Sequence, residues 1–370
     1  MDPAKADQYT DDTSVADALE ADGIPKLNDS LMQLFIAGYG NTAGCCDLSQ
    51  LSIRLLMAFE EHWASKEVEG DYRPTFGLHS LVDAMIQDLQ DHNKENLQKF
   101  TLLLNTPVER ILPAEIPPAT ADTAMEQNLK IKIRLGESVA NASPLICADA
   151  VVVTVPPSRL PQLFNQGRDL SQTKREALTR IGFADRIVKI CCKFRSACLW
   201  PPNLQSIIAA RQPIPELWFR DMEFDDTILV VGYLVSNSAH MLIEQILAMQ
   251  AAEAQLLNPV PSRESCAEQI MLYQLATMFQ RPVERVEEEC LLGETQVVDW
   301  KEDFPYVQGG YSFAKVGTIL GRDVGALAEP MMNGRVLFAG EATNTCASCT
   351  VQAAMETGIR AAKEVMATLL

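Results

Sequence analysis

The residues of this chain whose types and spacing could do chemistry cluster towards its C-terminal end. An apolar strand pattern, Arg335 to Gly340, ends on Glu341, and a loop leads from there to Thr350-Val351, where a helical pattern opens. A carboxylate at the C-terminal end of a strand accepts hydrogen bonds from ligand hydroxyls. A helix N-terminus offers N–H groups and the positive end of the helix dipole. The pair suits a conjugated ring that gains negative charge. In the same loop Cys346-Ala-Ser-Cys349 is a C-x-x-C, which at a helix N-terminus has a lowered thiol pKa and could exchange electrons. No second ligand pair stands at a spacing that suits zinc, so no metal site is expected. Upstream lie Trp300 and the run Gly309-Gly310-Tyr311, and further back Lys189 within "RIVKICCKF". Taken singly, the Trp and Tyr read as core packing and the lysine as an exposed strand residue.

Elements to position them are legible around these residues. Residues 13–24 read as a short helix closed by Gly23, and Asp47-Leu-Ser-Gln50 as a helix cap. Behind that cap Leu48, Leu51, Leu55, Phe59 and Trp63 share a helical face, and Leu78, Leu81, Val82, Met85 and Leu89 form another. Asn128 to Leu135 alternates as a half-buried strand. Ala148 to Pro157 is a β-branched run that predicts a strand buried on both faces of a layered sheet. Arg186 to Phe194, Thr295 to Trp300 and Arg335 to Gly340 are further strands, and 239–256 and 265–279 are helices. The last helix places Val351, Ala354, Met355, Gly358, Ala362 and Val365 on one face. Residues 66–74 and 113–127 read as loops. Strands and helices alternate throughout, so the fold class is α/β, or a mixed α+β arrangement.

The chain has 370 residues, 47% of them apolar, and a net charge of −18. That charge argues against nucleic acid as a main partner; it permits attraction of cationic substrates such as polyamines, solubility alone being the plainer reading. No apolar run approaches the length of a membrane span, and the polar, acidic N-terminus is no secretory or transit signal. A cytoplasmic location is the expectation. The ten cysteines include the adjacent pairs Cys45–Cys46 and Cys191–Cys192, which suit buried thiols better than a disulfide framework.

With those residues in place, the chain resembles the flavin-dependent amine oxidases, a family that includes monoamine oxidases, polyamine oxidases and flavin histone demethylases. The family's C-terminal signature is matched by Gly340-Glu341-Ala342-Thr343 and Thr350-Val351, with Gln352-Ala353 where polyamine oxidases and demethylases carry His-Gly. "RPTFGLHSLVDAM", "LNTPVERI" and "ADAVVVTVPPSRL" resemble the family's flavin-domain segments. The resemblance implies non-covalent FAD and oxidation of an amine C–H bond by hydride transfer to the flavin, with reoxidation by oxygen. It implies that Lys189 and Tyr311 are catalytic: Lys189 holds a water at the flavin, and Tyr311 forms a wall of the amine channel. Val108, Trp300, Gly340, Glu341, Thr350 and Val351 would contact the cofactor. Gly310 stands where monoamine oxidases attach their flavin covalently, and Thr350 where they place a second cage tyrosine. The first implies no covalent attachment there, and the second favours a polyamine-oxidase-like site over a monoamine-oxidase-like one. The substrate would be a small amine. An amino-acid oxidase is a further alternative, indicated if Arg186 or Arg195 faces the flavin.

Gly38, Gly40 and Gly44 imitate a phosphate loop, but the spacing is G-x-G-x-x-x-G, and the acidic residue at the right distance, Glu60, falls in a helical pattern. The stretch is expected to be a loop in the substrate domain. The chain then starts inside the family's first substrate-domain segment and lacks the phosphate-loop unit. The expected division is 1–70 and 161–300 for the substrate domain, 71–160 and 301–370 for the FAD-binding domain. Unpaired sheet edges would invite a partner chain or oligomer, and a non-catalytic, truncated relative acting as a binding or regulatory protein is the competing reading.

Overall fold

The computed structural model describes residues 8–23, 30–45, 47–64, 74, 76–96, 100–113, 131–136, 145–195, 200–201, 203–222, 225–346 and 349–369. The loops expected at 66–73 and 114–127, and Cys46, lie outside the described residues. The chain forms two compact units, one of Met1–Phe59 with Ala150–Leu370, the other of Glu60–Asp149.

The first unit opens with helix α1 (Val15–Ala21). Ser14 Oγ accepts from the Asp17 N–H at 3.0 Å, and the Asp17 carboxylate accepts from the Ser14 N–H at 3.3 Å, a reciprocal cap. Helix α2 (Ser30–Phe35) continues as a π-turn over Ile36–Gly40. Gly38 and Gly40 are therefore helical, neither a phosphate loop nor the substrate-domain loop expected. Helix α3 (Ile53–Ala64) comes next. Its cap is not Asp47, which closes a preceding turn on the Ser49 N–H at 3.0 Å, but Ser52, whose Oγ accepts from the Leu55 N–H at 3.3 Å. The start is delayed because Leu51 and Ser52 are extended, bridging to Lys315 and Ser14.

The second unit contains helix α4 (His79–Asn96) and an antiparallel sheet of β1 (Val108–Pro113), β2 (Ile131–Leu135) and β3 (Leu145–Ala148). The α4 helix forms as its spacing predicts, but Leu78, Leu81, Val82, Met85 and Leu89 are all exposed.

The first unit resumes with β4 (Val151–Val153), α5 (Leu160–Leu163), α6 (Gln172–Arg180), β5 (Gly182–Phe183), β6 (Ile187–Arg195), β7 (Ser206–Ile208), β8 (Glu216–Met222) and β9 (Thr227–Val235). Then come α7 (Asn237–Gln255), α8 (Arg263–Met278), α9 (Val283–Cys290), β10 (Leu291–Asp299), β11 (Ser312–Phe313), α10 (Gly325–Ala328), β12 (Val336–Phe338) and α11 (Val351–Leu369). The expected mixture of helices and sheets is what the chain forms. Its centre is a five-stranded antiparallel sheet in the order β10-β6-β9-β8-β7. One face of β6, Val188, Ile190, Cys192 and Phe194, is fully buried with Leu242 and Ile246 of α7 and Ile270, Met271 and Leu275 of α8. Each such aliphatic side chain contributes about 1.5–3 kcal/mol of burial.

Two sequence expectations change here. Of the run 148–157, Ala148 ends β3 and only Val151–Val153 form β4, which among the described residues pairs with β12 in parallel and with no other strand, and Val152 is exposed rather than buried on both faces. On α11 the buried stripe is Ala353, Thr357 and Ala361, small residues that let the helix lie close to β12, whereas Val351 and Met355 of the expected face are exposed. Among the described residues no helix is long and apolar enough to cross a membrane.

Lys174 of α6 is fully buried. Its ammonium donates to the carbonyls of Ala326, Leu327 and Glu329 at 2.7, 2.8 and 2.9 Å, closing the C-terminal end of α10, and lies 3.8 Å from the Phe338 ring centroid. Burial pulls its pKa down from 10.5 to about 7. Between those values the unfolded lysine keeps a proton that the folded one has lost, so this group's contribution to stability rises with pH across that window. Lys174→Met strands the carbonyls and is expected to cost about 2 kcal/mol in urea unfolding at pH 7. The gap between wild type and variant is expected to widen as the pH is raised towards 9; a constant gap would contradict the lowered pKa.

Candidate active site

The period-2 alternation of β6 buries Val188 and Ile190 on the helix side and turns Lys189 to the opposite face. Lys189 is opposite Tyr233 of β9 and Val298 of β10. Its Nζ lies 5.4 Å from the Tyr233 ring centroid and 5.5 Å from that of Trp300, just past the end of β10. Lys193, further along the strand, is paired with Asp225 at 2.6 Å, and Lys301 approaches Asp185 at 3.7 Å. Among the described residues no carboxylate pairs with Lys189. Its charge is held by two aromatic faces, which leaves the ammonium N–H groups available to a water or ligand. The Trp300 backbone is anchored by its main-chain N–H, which donates to the Ile187 carbonyl at 3.0 Å.

Tyr311 reaches the same place from another segment. The glycine pair before it passes against β5 and the loop after it. A side chain at Gly309 would put Cβ 2.5 Å from the Ala184 oxygen, and one at Gly310 would put it 2.0 Å from Ile187 Cδ1. No larger residue fits Gly310 unless Ile187 moves. The Tyr311 hydroxyl donates to the Thr42 carbonyl at 2.9 Å and meets the Tyr233 hydroxyl at 2.8 Å. Burial, with the Tyr233 phenol beside it, holds the Tyr311 pKa well above 10, so it is neutral in any working buffer.

Tyr233, Asn41, Thr42 and Glu216 were not anticipated from the sequence. Glu216, 2% exposed, accepts from Asn41 Nδ2 at 2.9 Å and Thr42 Oγ1 at 3.2 Å. Burial raises its carboxyl above the usual range, and the Asn41, Thr42 and Trp218 donors oppose that rise. A tyrosine inside "ILVVGYLV" reads as one more strand residue, and only the cross-strand register with Lys189 reveals its role.

Glu341 comes after β12 and lines a cavity of about 220 Å3 with Thr154, Val155, Gly310, Phe338, Gly340 and Ala354. Its carboxylate accepts from the Ser312 N–H at 3.0 Å, the Ser312 hydroxyl at 2.6 Å and the Cys349 N–H at 2.7 Å. It therefore ties the loop before α11 to β11, next to Tyr311. Thr350 uses its Oγ1 to accept from the Ala353 N–H at 3.1 Å, capping α11, and Val351 is exposed in the first turn. The lowered thiol expected of the C-x-x-C is not found at Cys349. Burial of the thiol, then the Glu341 carboxylate, push it up to about 12, although the residue as a whole is exposed. Among the described residues no His, Cys, Asp or Glu group could hold a metal.

Lys189, Tyr233, Trp300, Tyr311, Gly310 and Glu341 thus form one continuous run from the sheet face to the cavity. Val108 belongs to the second unit, at the start of β1, half-exposed. Arg186 is committed to the buried Asp299, through Nε at 3.0 Å and Nη2 at 2.7 Å. Arg195 is exposed at the far end of β6, about 20 Å along the strand from Lys189.

A carboxylate at a strand end, a backbone held open by glycine, and a lysine between aromatic rings are groups that a flavin-dependent oxidoreductase acting on amines would use. The chain belongs to the flavin-containing amine oxidoreductase family, whose profile matches residues 3–366. Among solved structures it is similar to cyclohexylamine oxidase from Brevibacterium oxydans IH-35A, with 16% identity and a TM-score of 0.64. It is also similar to a putrescine oxidase bound to putrescine, with 15% identity and a TM-score of 0.68. Each match covers 96% of this chain and 68% of the other. At such identities the likeness is one of fold.

Gly310→Ala is expected to destabilise the protein by about 1–3 kcal/mol, because its methyl meets Ile187 Cδ1. Adding Ile187→Val, which removes that atom, should recover part of the loss in urea unfolding. Additive losses would show that the close approach does not govern this position.

Proposed function

We propose that the chain binds FAD non-covalently and oxidises the C–H bond beside the nitrogen of a small, polyamine-type amine, with oxygen as the final acceptor. The observation that carries this reading is Lys189, an ammonium facing Tyr233 and Trp300 with no carboxylate partner among the described residues. The flavin, when bound, supplies the hydride acceptor. Gly340 and Glu341 would meet it at the end of β12. Trp300 and the first turn of α11, with Thr350 and Val351, would flank it, and Val108 would serve its adenine end. In this division 71–160 and 301–370 serve the cofactor, and 1–70 and 161–300 the substrate. Lys189 would hold a water by its N–H groups, and neutral Tyr311 would form one wall of the amine channel. The crowding at Gly310 supports non-covalent attachment, since any nucleophilic side chain there would collide with Ile187. The net charge of −18 favours encounter with a polycation, and putrescine, the diamine bound in one structural neighbour, belongs to that class.

A second reading, a non-catalytic relative that acts by binding, draws support from Gly38 and Gly40. They are helical and present no phosphate turn at that stretch.

The test is to pass the purified protein with FAD through gel filtration and look for retained oxidised-flavin absorption. Putrescine, spermine, N-acetylated polyamines and cyclohexylamine are then added without oxygen. Bleaching by the polyamines is the expected result. Lys189→Met should keep the absorption and the bleaching but slow oxygen-linked turnover about 10- to 100-fold. A protein that stays colourless would overturn the oxidase reading and support the second.

A further inference from the structure

We propose that Glu216 is a positioning residue for the phenol pair Tyr311–Tyr233, acting through Asn41 and Thr42. The inference rests on the site assigned above, while its geometry stands without cofactor. Glu216 opens β8 directly opposite Tyr233 of β9 and is 2% exposed. A buried carboxylate is costly unless donors surround it. Here the donors come from Asn41 at 2.9 Å, Thr42 at 3.2 Å and the Trp218 side chain, and no cation is among them.

Asn41 has no exposed surface. Its Nδ2 donates to Glu216 and to the Tyr233 carbonyl at 3.1 Å, while its Oδ1 accepts from the Val235 N–H and the Ser238 hydroxyl, each at 3.0 Å. The single Ser238 proton can go to Asn41 Oδ1 or to the Val235 carbonyl, also at 3.0 Å, but the two Nδ2 donations and the Val235 N–H already give the carboxamide one orientation. Its neighbour Thr42 is held by Glu216 through Oγ1 and offers its carbonyl to Tyr311.

A carbonyl only accepts, so the single Tyr311 proton points to Thr42. Tyr311 then receives the Tyr233 proton. The hydroxyl chain is one-way, from Tyr233 to Tyr311 to Thr42, and Tyr233 meets any further group as an acceptor. That is the polarity an amine N–H requires. Glu216 hydrogen-bonds neither phenol. Its charge is a minor part of what holds the proton on Tyr311, and its main action is to fix the segment whose carbonyl sets their direction.

The experiment uses the full chain with tyrosine labelled at 13Cζ, the Tyr233 and Tyr311 signals being assigned with Tyr→Phe variants. Glu216→Leu should shift both signals. Glu216→Gln, whose amide oxygen can still accept from Asn41 and Thr42, should restore most of both shifts, the remainder being the effect of the lost charge. Gln274→Leu removes another buried polar contact, to Ile214, and should leave them unmoved. If Glu216→Leu does not fold, Thr42→Val removes only the Oγ1 contact and should shift the same two signals, less far. With FAD present and the amine that bleaches best, Glu216→Leu should lower kcat/KM about tenfold with retained FAD binding, and Glu216→Gln should recover it. Unmoved phenol signals in a folded Glu216→Leu or Thr42→Val protein would overturn the proposal, whatever the activity. Shifted signals in a protein without turnover would uphold the positioning role and refute only the oxidase reading.

Discussion

The site depends on one buried carboxamide. Asn41 sits just past the π-turn of α2 and ties that turn to the end of β9, to the first turn of α7 and to Glu216 at the start of β8. The turn lies more than 170 residues before the other three segments, which follow one another in the chain, and local propensity gives it no reason to meet them. A solvent-free amide with both hydrogens and its oxygen engaged would lose several interactions at once if any of these segments moved. The π-turn has a role in this. A helix that gains one residue per turn re-aims the residues beyond it, and here those residues are Asn41 and Thr42. The glycines that suggest a nucleotide loop lie in the turn that delivers the clamp.

Much of this was legible in the sequence, for physical reasons. The alternation of β6 told that Lys189 faces away from Val188 and Ile190, because the side-chain period of a strand is fixed. The strand that ends at Gly340-Glu341 and the helix from Val351 follow from hydrophobic pattern and turn chemistry alone. What the pattern could not supply was register. Tyr233 matters because it lies opposite Lys189 and Glu216 on neighbouring strands, and pairing across 44 residues leaves no local mark. Asn41 looks like an ordinary turn former beside glycines. The cap of α3 departs from its sequence signal for the same reason. Ser52 and Leu51 are drawn into bridges with residues distant in sequence, which moves the helix start past Asp47.

Burial was the least legible property. The spacing of α11 marks out an apolar face, yet the face packed inward carries Ala353, Thr357 and Ala361, while Val351 and Met355 of the expected face are more than 40% exposed. The same holds for α4. Periodicity reports which residues share a face. Whether that face is covered depends on what lies opposite, and a helix packed closely on β12 favours small residues there. Thr357 shows the benefit: its hydroxyl accepts from the Gly340 N–H at 2.9 Å and so braces the strand end that carries Glu341. A larger residue at that position would force the helix and the strand end apart.

The electrostatics of the site depend on this framework. Arg186 lies three residues before Lys189 and satisfies the buried Asp299, so the strongest cation of this region is already neutralised. Lys193 is likewise neutralised by Asp225. Lys189 is left as the charge that two aromatic faces hold without removing its donors. Tyr311, neutral and with its proton directed at Thr42, adds an oriented dipole rather than a charge. A protonated amine near Lys189 would be repelled, whereas a neutral amine could use the acceptor that the phenol chain presents. The arrangement therefore favours the deprotonated amine, the form whose nitrogen lone pair assists loss of hydride from the adjacent carbon. For the amine substrate proposed above, the net negative charge of the chain would favour encounter with the cation and the site beside Lys189 would select against it, so capture and reaction would call for opposite protonation states of one substrate.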